Sequence, residues 1–208
     1  MVIMRGSNNF RAPVRAAVQV LSSGGVIAFP TETTYGLGCD PRNAKAVAQV
    51  FKIKGRGKNK PLPLAASSLS QVKRVAVLDR ASASLGQRCW PGPLTLVLPA
   101  RRGLRLQRLV APKGEVAIRV SSSPFVRELV RAYGFPIVAT SANKSGEPEC
   151  RSGRSVVRAF QGAQTKPDLV LDLGALPRRK PSTIARVCPD GKVAVLRRGA
   201  VRISQNEN

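Results

Sequence analysis

Residues 24–41 read Gly-Gly-Val-Ile-Ala-Phe-Pro-Thr-Glu-Thr-Thr-Tyr-Gly-Leu-Gly-Cys-Asp-Pro. Val26 to Phe29 is short, wholly apolar and β-favouring, the pattern of a strand whose sheet is covered on both faces. Ahead of it, Pro13 to Leu21 places Val14, Ala17, Val18 and Leu21 on one helical stripe that Gly24-Gly25 closes. After it comes a polar, turn-rich segment from Pro30 to Asp40. Asp40 is then expected to cap a helix, with Pro41 at its first position and Ala44, Val47, Ala48 and Phe51 on its buried side. A helix, a buried strand and a helix joined by short polar turns is the unit of a layered α/β fold.

The rest of the chain repeats that grammar. Strands are expected at Leu62–Ala66, Leu94–Leu98, Val116–Val120, Pro136–Thr140, Leu169–Leu173, Thr183–Val187 and Val193–Leu196. Ser68 and Asp79 suit helix N-caps, and further helices are expected at Pro124–Tyr133 and Ser152–Phe160. The fold class is α/β: a three-layer domain with a mixed, twisted sheet flanked by helices. Residues 1–208 form one domain in this reading, its core running from about 13 to 201. A chain of this size buries about 70% of its unfolded surface, enough for one substantial core.

Composition removes several mechanisms. The 208 residues hold 35 Lys and Arg, 11 Asp and Glu and no histidine, for a net charge of +24. Without histidine there is no Ser-His-Asp triad, no Cys-His dyad and no His-ligated metal centre. Cys39, Cys89, Cys150 and Cys188 form no CxxC pair, so no zinc knuckle and no metal site is expected. Unpaired cysteines and the lack of a signal peptide suit a reducing cytoplasm. The arginine-bearing N-terminus reads as an amphipathic helix rather than a transit peptide. The longest apolar runs are about six residues against the roughly 20 that span a bilayer, so no membrane contact is expected.

Four polar segments follow apolar strands, where α/β sheets usually place their sites. The first, Pro30 to Gly38, supplies the hydroxyls of three threonines and Tyr35. The second, Lys52-Ile-Lys-Gly-Arg-Gly-Lys-Asn-Lys60, sets cations at alternate positions. An extended loop would aim Lys52, Lys54, Arg56, Lys58 and Lys60 the same way, an arrangement that suits a bound anion such as phosphate. It is neither a Walker A loop nor a GxGxxG turn. The third is Thr140 to Gly146, with Ser141 and Asn143. The fourth pairs Pro181-Ser182-Thr183-Ile184 with Leu196-Arg197-Arg198-Gly199.

Together these segments resemble the YrdC-like family of threonylcarbamoyl-AMP synthases. The strings that carry the resemblance are GGVIAFPTETTYGLGCDP, FKIKGRGKNKPLPL, WPGPLTLVLP, VAIRV, PIVATSANKSGEP, PSTI and LRRGA, in that order. The resemblance implies an enzyme that joins L-threonine, bicarbonate and ATP into threonylcarbamoyl-AMP with release of pyrophosphate. The product then serves tRNA threonylcarbamoyl-transferase proteins that modify tRNAs reading ANN codons. The family's KxR and SxN signature falls on Lys54, Arg56, Ser141 and Asn143. The resemblance makes Lys54 and Arg56 catalytic and assigns Lys54, Arg56, Lys60, Ser141, Asn143 and Arg197 to ATP, with Mg2+ as its companion. It gives Thr33, Arg119 and Ser182 to the threonine, Arg119 facing its carboxylate, and Tyr35 is counted with them as a hydroxyl of the same segment.

There are departures. Ala65 and Ala66 stand where many members carry a histidine, Ser121 follows VAIRV where a proline is common, and no second, C-terminal domain is expected. The reaction fits a histidine-free chain, because phosphoryl chemistry of this kind rests on positioning and electrostatics. Most cations lie outside the proposed site. Arg151, Arg154 and Arg158 fall on one face of an expected helix, and the total field should attract the backbone of tRNA or double-stranded RNA. An alternative follows: a basic RNA-binding factor without catalysis of its own, although nine aromatic residues leave little for base stacking.

Overall fold

The computed structural model describes residues 1–5, 9–57, 60–188 and 190–203. The mixed α/β class holds, and the strands divide between two mixed sheets. The first runs in the order β1 (Val2–Arg5), β9 (Leu169–Asp172), β2 (Ile27–Pro30), β3 (Tyr35–Gly38) and β8 (Thr140–Ser141). The second runs β11 (Val193–Arg197), β10 (Thr183–Val187), β5 (Leu94–Pro99), β6 (Glu115–Val120), β4 (Leu64–Ala66) and β7 (Ile137–Val138).

The opening stretch behaves as its pattern demands. Ile27 and Phe29 face one apolar core with Leu169 and Leu171, while Val26 and Ala28 face the other with Val170. That alternation is the period of two of strands buried on both faces. Helices α1 (Arg11–Ser22) and α5 (Pro124–Tyr133) cover the first face through Val14, Ala17, Leu21, Phe125, Val126 and Leu129. Helices α2 (Ala44–Lys54) and α6 (Gly153–Ala159) contribute Val47, Val50, Phe51 and Val156 to the second core. Each such large side chain contributes about 1.5–3 kcal/mol when fully buried.

Among the described residues five helix starts follow the side-chain cap rule. Ser68, Asp79, Ser123 and Ser152 accept from backbone N–H groups at the heads of α3 (Leu69–Val75), α4 (Arg80–Cys89), α5 and α6. The expected cap of α2 is corrected. Asn43, not Asp40, accepts from Ala46 N at 3.1 Å, so Pro41 lies outside the helix. Asp40 is held instead by the Arg42 guanidinium and by Tyr133 Oη at 2.6 Å. The shifted start moves the buried side to Ala46, Val47, Val50, Phe51, Ile53 and Lys54, leaving Ala44 and Ala48 exposed.

Two strands lie where none was expected. β1 pairs in parallel with β9, more than 160 residues away in the chain. β3 lies in the stretch read as a turn and pairs antiparallel with β2. The expected strand at Pro136–Thr140 breaks in two at Ala139. β7 joins β4 of the second sheet and β8 joins β3 of the first. The hydrogen bonds Val138 N to Cys39 O, Ala139 N to Pro63 O and Ala142 N to Tyr35 O sew this crossing between the sheets. The space beside that crossing is the candidate site.

Candidate active site at the junction of the two sheets

A cavity of about 530 Å3 opens at the crossing, with walls from both sheets. Thr31, Thr33, Thr34 and Gly36 come from the β2–β3 hairpin, and Thr140 and Ser141 come from β8. Arg56, Lys60, Pro61 and Pro63 come from the basic loop, Thr95 and Arg119 from β5 and β6, and Ser182 and Arg197 from the last hairpin. The volume falls within the range of small-ligand pockets, roughly 300–1,000 Å3.

The hairpin end is rich in hydroxyls. Thr31 Oγ1 donates to Thr34 O at 2.7 Å and accepts from Thr33 N at 3.1 Å, a Thr-closed turn that shapes the β2–β3 connection. Beneath it lies an ion pair the sequence reading did not anticipate. Arg119 Nη1 stands 2.9 Å from Glu32 Oε1, with side chains 10% and 6% exposed. Ser121 Oγ donates to Glu32 Oε2 at 2.5 Å. Glu32 Oε1 takes no aligned hydrogen bond among the described residues, so Arg119 meets it as a charge contact. Arg119 meets Glu32 through Nη1 and also lines the cavity.

The last hairpin adds a second fork. Arg197 donates from Nε and Nη2 to Ser182 O at 3.2 and 2.8 Å, and from Nη2 to Ser182 Oγ at 3.0 Å. Thr95 Oγ1 lies 2.9 Å from Ser182 Oγ, so Ser182 is held from two sides. Gly199 permits this closeness, since a Cβ there would collide with the Pro181 carbonyl and the Ser182–Thr183 backbone.

The basic loop departs from its expected geometry. Lys52 and Lys54 belong to α2, where a spacing of two residues puts side chains on nearly opposite sides of the helix. Lys52 is exposed and Lys54 is 2% exposed. Gly55, at φ +55°, ends the helix in the left-handed region. Arg56 then folds onto its own loop, donating to Lys60 O and Pro61 O at 3.1 Å each. Lys58 lies outside the described residues. The alternate aim of five cations is thus replaced by two that line the cavity, Arg56 and Lys60.

Lys54 points beneath the β8 turn and is not part of the cavity wall. Its Nζ donates to Ser141 O at 2.5 Å and Asn143 O at 3.0 Å, with Asn143 Oδ1 at 3.2 Å and Ser141 Oγ at 3.4 Å. Burial first, and the Arg56 charge second, pull this ammonium down to about 8, against the opposing pull of Glu149 and Cys150. Asn143 is tied into the same turn, its Nδ2 donating to Glu147 O at 2.5 Å. Tyr35 does not line the cavity. Its hydroxyl donates to Gly174 O at 2.7 Å and accepts from Leu173 N at 3.2 Å, while its neighbour Gly36 lines the cavity, because successive residues of a strand face opposite ways.

Of the residues expected at the site, Thr33, Arg56, Lys60, Arg119, Ser141, Ser182 and Arg197 line the cavity, and Lys54, Asn143 and Tyr35 do not. Not singled out for the site from sequence were Glu32, Thr95, Ser121 and Glu149. Thr95 carried a signal, a hydroxyl interrupting the apolar run Leu94–Leu98. Glu32 carried a weaker one, an acid alone among threonines. The crowding of positive charge is plain in Arg56, lowered by burial and then by Arg197, and in Arg197, lowered by burial and by Arg119.

Comparison with known proteins agrees. The Sua5/YciO/YrdC family model, described as telomere recombination, matches residues 19–199. A threonylcarbamoyl-AMP synthase of Halorhodospira halophila is 42% identical over 180 residues, 85% of this chain and 91% of that protein. Its counterpart in Klebsiella pneumoniae is 42% identical over 152 residues, 71% and 78% of the two chains. The crystal structure of P. abyssi Sua5 complexed with L-threonine superposes with a TM-score of 0.86 at 31% identity. It matches 96% of this chain, which spans 58% of the Sua5 chain. By family model, sequence and fold together, the chain belongs to the Sua5/YciO/YrdC family.

Proposed function

We propose that this chain, as a single domain, is a threonylcarbamoyl-AMP synthase that converts L-threonine, bicarbonate and ATP into threonylcarbamoyl-AMP and pyrophosphate. The observation that carries this reading is the convergence of three guanidiniums, Arg56, Arg119 and Arg197, on one cavity. Like charges held together are unfavourable alone and favourable around an anion. The triphosphate and the threonine carboxylate both suit these cations. The triphosphate lies toward Arg56, Lys60, Arg197 and Ser141. The threonine lies toward Thr33 and Ser182, its carboxylate meeting the edge of Arg119 turned from Glu32.

In this arrangement the chain's residues position more than they transfer. A threonine carbamate oxygen must stand in line with the α-phosphorus while charge builds on the departing pyrophosphate, and fixed cations stabilise that charge without a histidine base. Lys54 and Asn143 act from below by holding the β8 turn, which carries Ser141 into the cavity. Among the described residues no group of three or more His, Cys, Asp or Glu is placed to cage a metal. Mg2+ would be held chiefly by the ATP phosphates, the mode by which this ion usually binds. The adenylate passes to tRNA threonylcarbamoyl-transferase proteins in the cytoplasm, and tRNA phosphates are drawn by the basic surface. Among the described residues no helix is long and apolar enough to cross a membrane.

Pyrophosphate release from purified protein tests the reading. Release is expected with ATP, bicarbonate and threonine together, without RNA, and is lost when threonine is omitted. Silence from well-folded protein, or release indifferent to threonine, overturns it.

A further inference from the structure

Among the described residues one carboxylate lines the cavity, that of Glu149, on a wall otherwise supplied with Arg56, Lys60, Arg119 and Arg197. Its place is set by the turn that carries it. Ser145 N donates to Lys54 O at 2.8 Å, Asn143 Nδ2 donates to Glu147 O at 2.5 Å, and Tyr35 N donates to Cys150 O at 2.9 Å. The backbone on both sides of Glu149 is thereby tied to α2 and β3. The side chain itself is exposed and makes no ion pair or hydrogen bond among the described residues. Its charge nevertheless reaches the cationic end, where it favours the charged forms of Lys54 and Arg197.

A free carboxylate there opposes a triphosphate, because the two negative charges repel. The opposition reverses if a divalent cation lies between them. Mg2+ is typically held by one or two carboxylates together with substrate phosphates and water, which is the donor set this rim offers. We propose that Glu149 is the chain's own ligand to the divalent cation of a metal–ATP complex, holding it at the rim of the basic cavity. The inference rests on the ATP reading above and goes beyond it by assigning the metal to a residue.

The test is a change of sign. Binding of a non-hydrolysable ATP analogue is measured by calorimetry for the wild type and Glu149→Gln, once with Mg2+ and once with a chelator. The substitution should weaken the Mg2+ form about tenfold, as loss of a metal-ordering contact does. It should tighten the metal-free form by roughly threefold, since the repulsion it removes is screened at an exposed rim. Tightening of both forms makes Glu149 a bare repulsive charge, weakening of both makes it structural, and no change in either makes it a bystander. Each overturns the proposal. Failure of the wild type to bind the analogue in either form overturns the nucleotide reading and this inference with it. Wild-type binding with one of the three contrary patterns overturns the inference alone.

Discussion

Two cations are buried at this site and are satisfied in opposite ways. Lys54 sits at the end of a helix among oxygens of the β8 turn, with no carboxylate in contact among the described residues, and it does not line the cavity. Arg119 sits in a strand against a carboxylate and also lines the cavity. The compact ammonium spends its donors on backbone and fixes a turn. The planar guanidinium can give one nitrogen to Glu32 and keep the others for a ligand. A buried cation is thus a staple or a receptor according to how many donors the fold leaves over.

The largest expected effect breaks the Arg119 side of this contrast. Arg119→Ala strands the Glu32 carboxylate in an environment that nearly excludes water, costing about 3–5 kcal/mol. Urea unfolding measures it, and adding Glu32→Gln should recover most of the loss in stability while threonine-dependent turnover stays absent. An Arg119→Ala protein as stable as wild type would dissolve the pair. On the other side, Lys54→Met removes the donors that hold the β8 turn and should cost about 1–3 kcal/mol. Turnover should fall with stability. Undiminished stability with weakened ATP binding would instead make Lys54 a phosphate contact.

A pH profile sharpens the comparison further. Lys54 is held at about 8, below its ordinary 10.5, so between those values the unfolded chain binds the extra proton. By linkage its contribution to stability rises with pH in that window. Turnover should nonetheless decline as pH climbs through about 8, because the neutral amine has fewer donors for the Ser141 and Asn143 oxygens. Activity and melting temperature measured across pH 7–10 should therefore diverge around the Lys54 value of about 8; parallel loss of both sinks the assignment. The smallest effect is expected at Lys52→Ala, on the exposed side of the same helix, where melting and turnover should both stay at wild-type values.

How much was legible depended on how local the deciding contact is. Helix α5 was readable to the residue, because Ser123, Pro124 and Gly134 carry its start and stop within the segment. The start of α2 was not, since Asp40 and Asn43 are both competent caps and Arg42 and Tyr133 claim the first. Strand β3 was hidden by its glycines. A Cβ at Gly38 would lie 2.6 Å from the Phe29 ring and 2.9 Å from Val138 O, so glycine is required there by partners outside the segment. β1 depends on β9 near the far end of the chain, and no local pattern announces such pairing.

By itself the sequence determined the mixed α/β class, the strings that mark the family, and a histidine-free chemistry of cations and hydroxyls. Tertiary structure alone decided which cations line the cavity. Helical phase turned Lys54 inward and Lys52 outward, the break at Ala139 brought two sheets to one cavity, and the fold set Glu32 against Arg119. A residue's type limits what it can bind, but its free donors depend on partners that folding brings from distant parts of the chain.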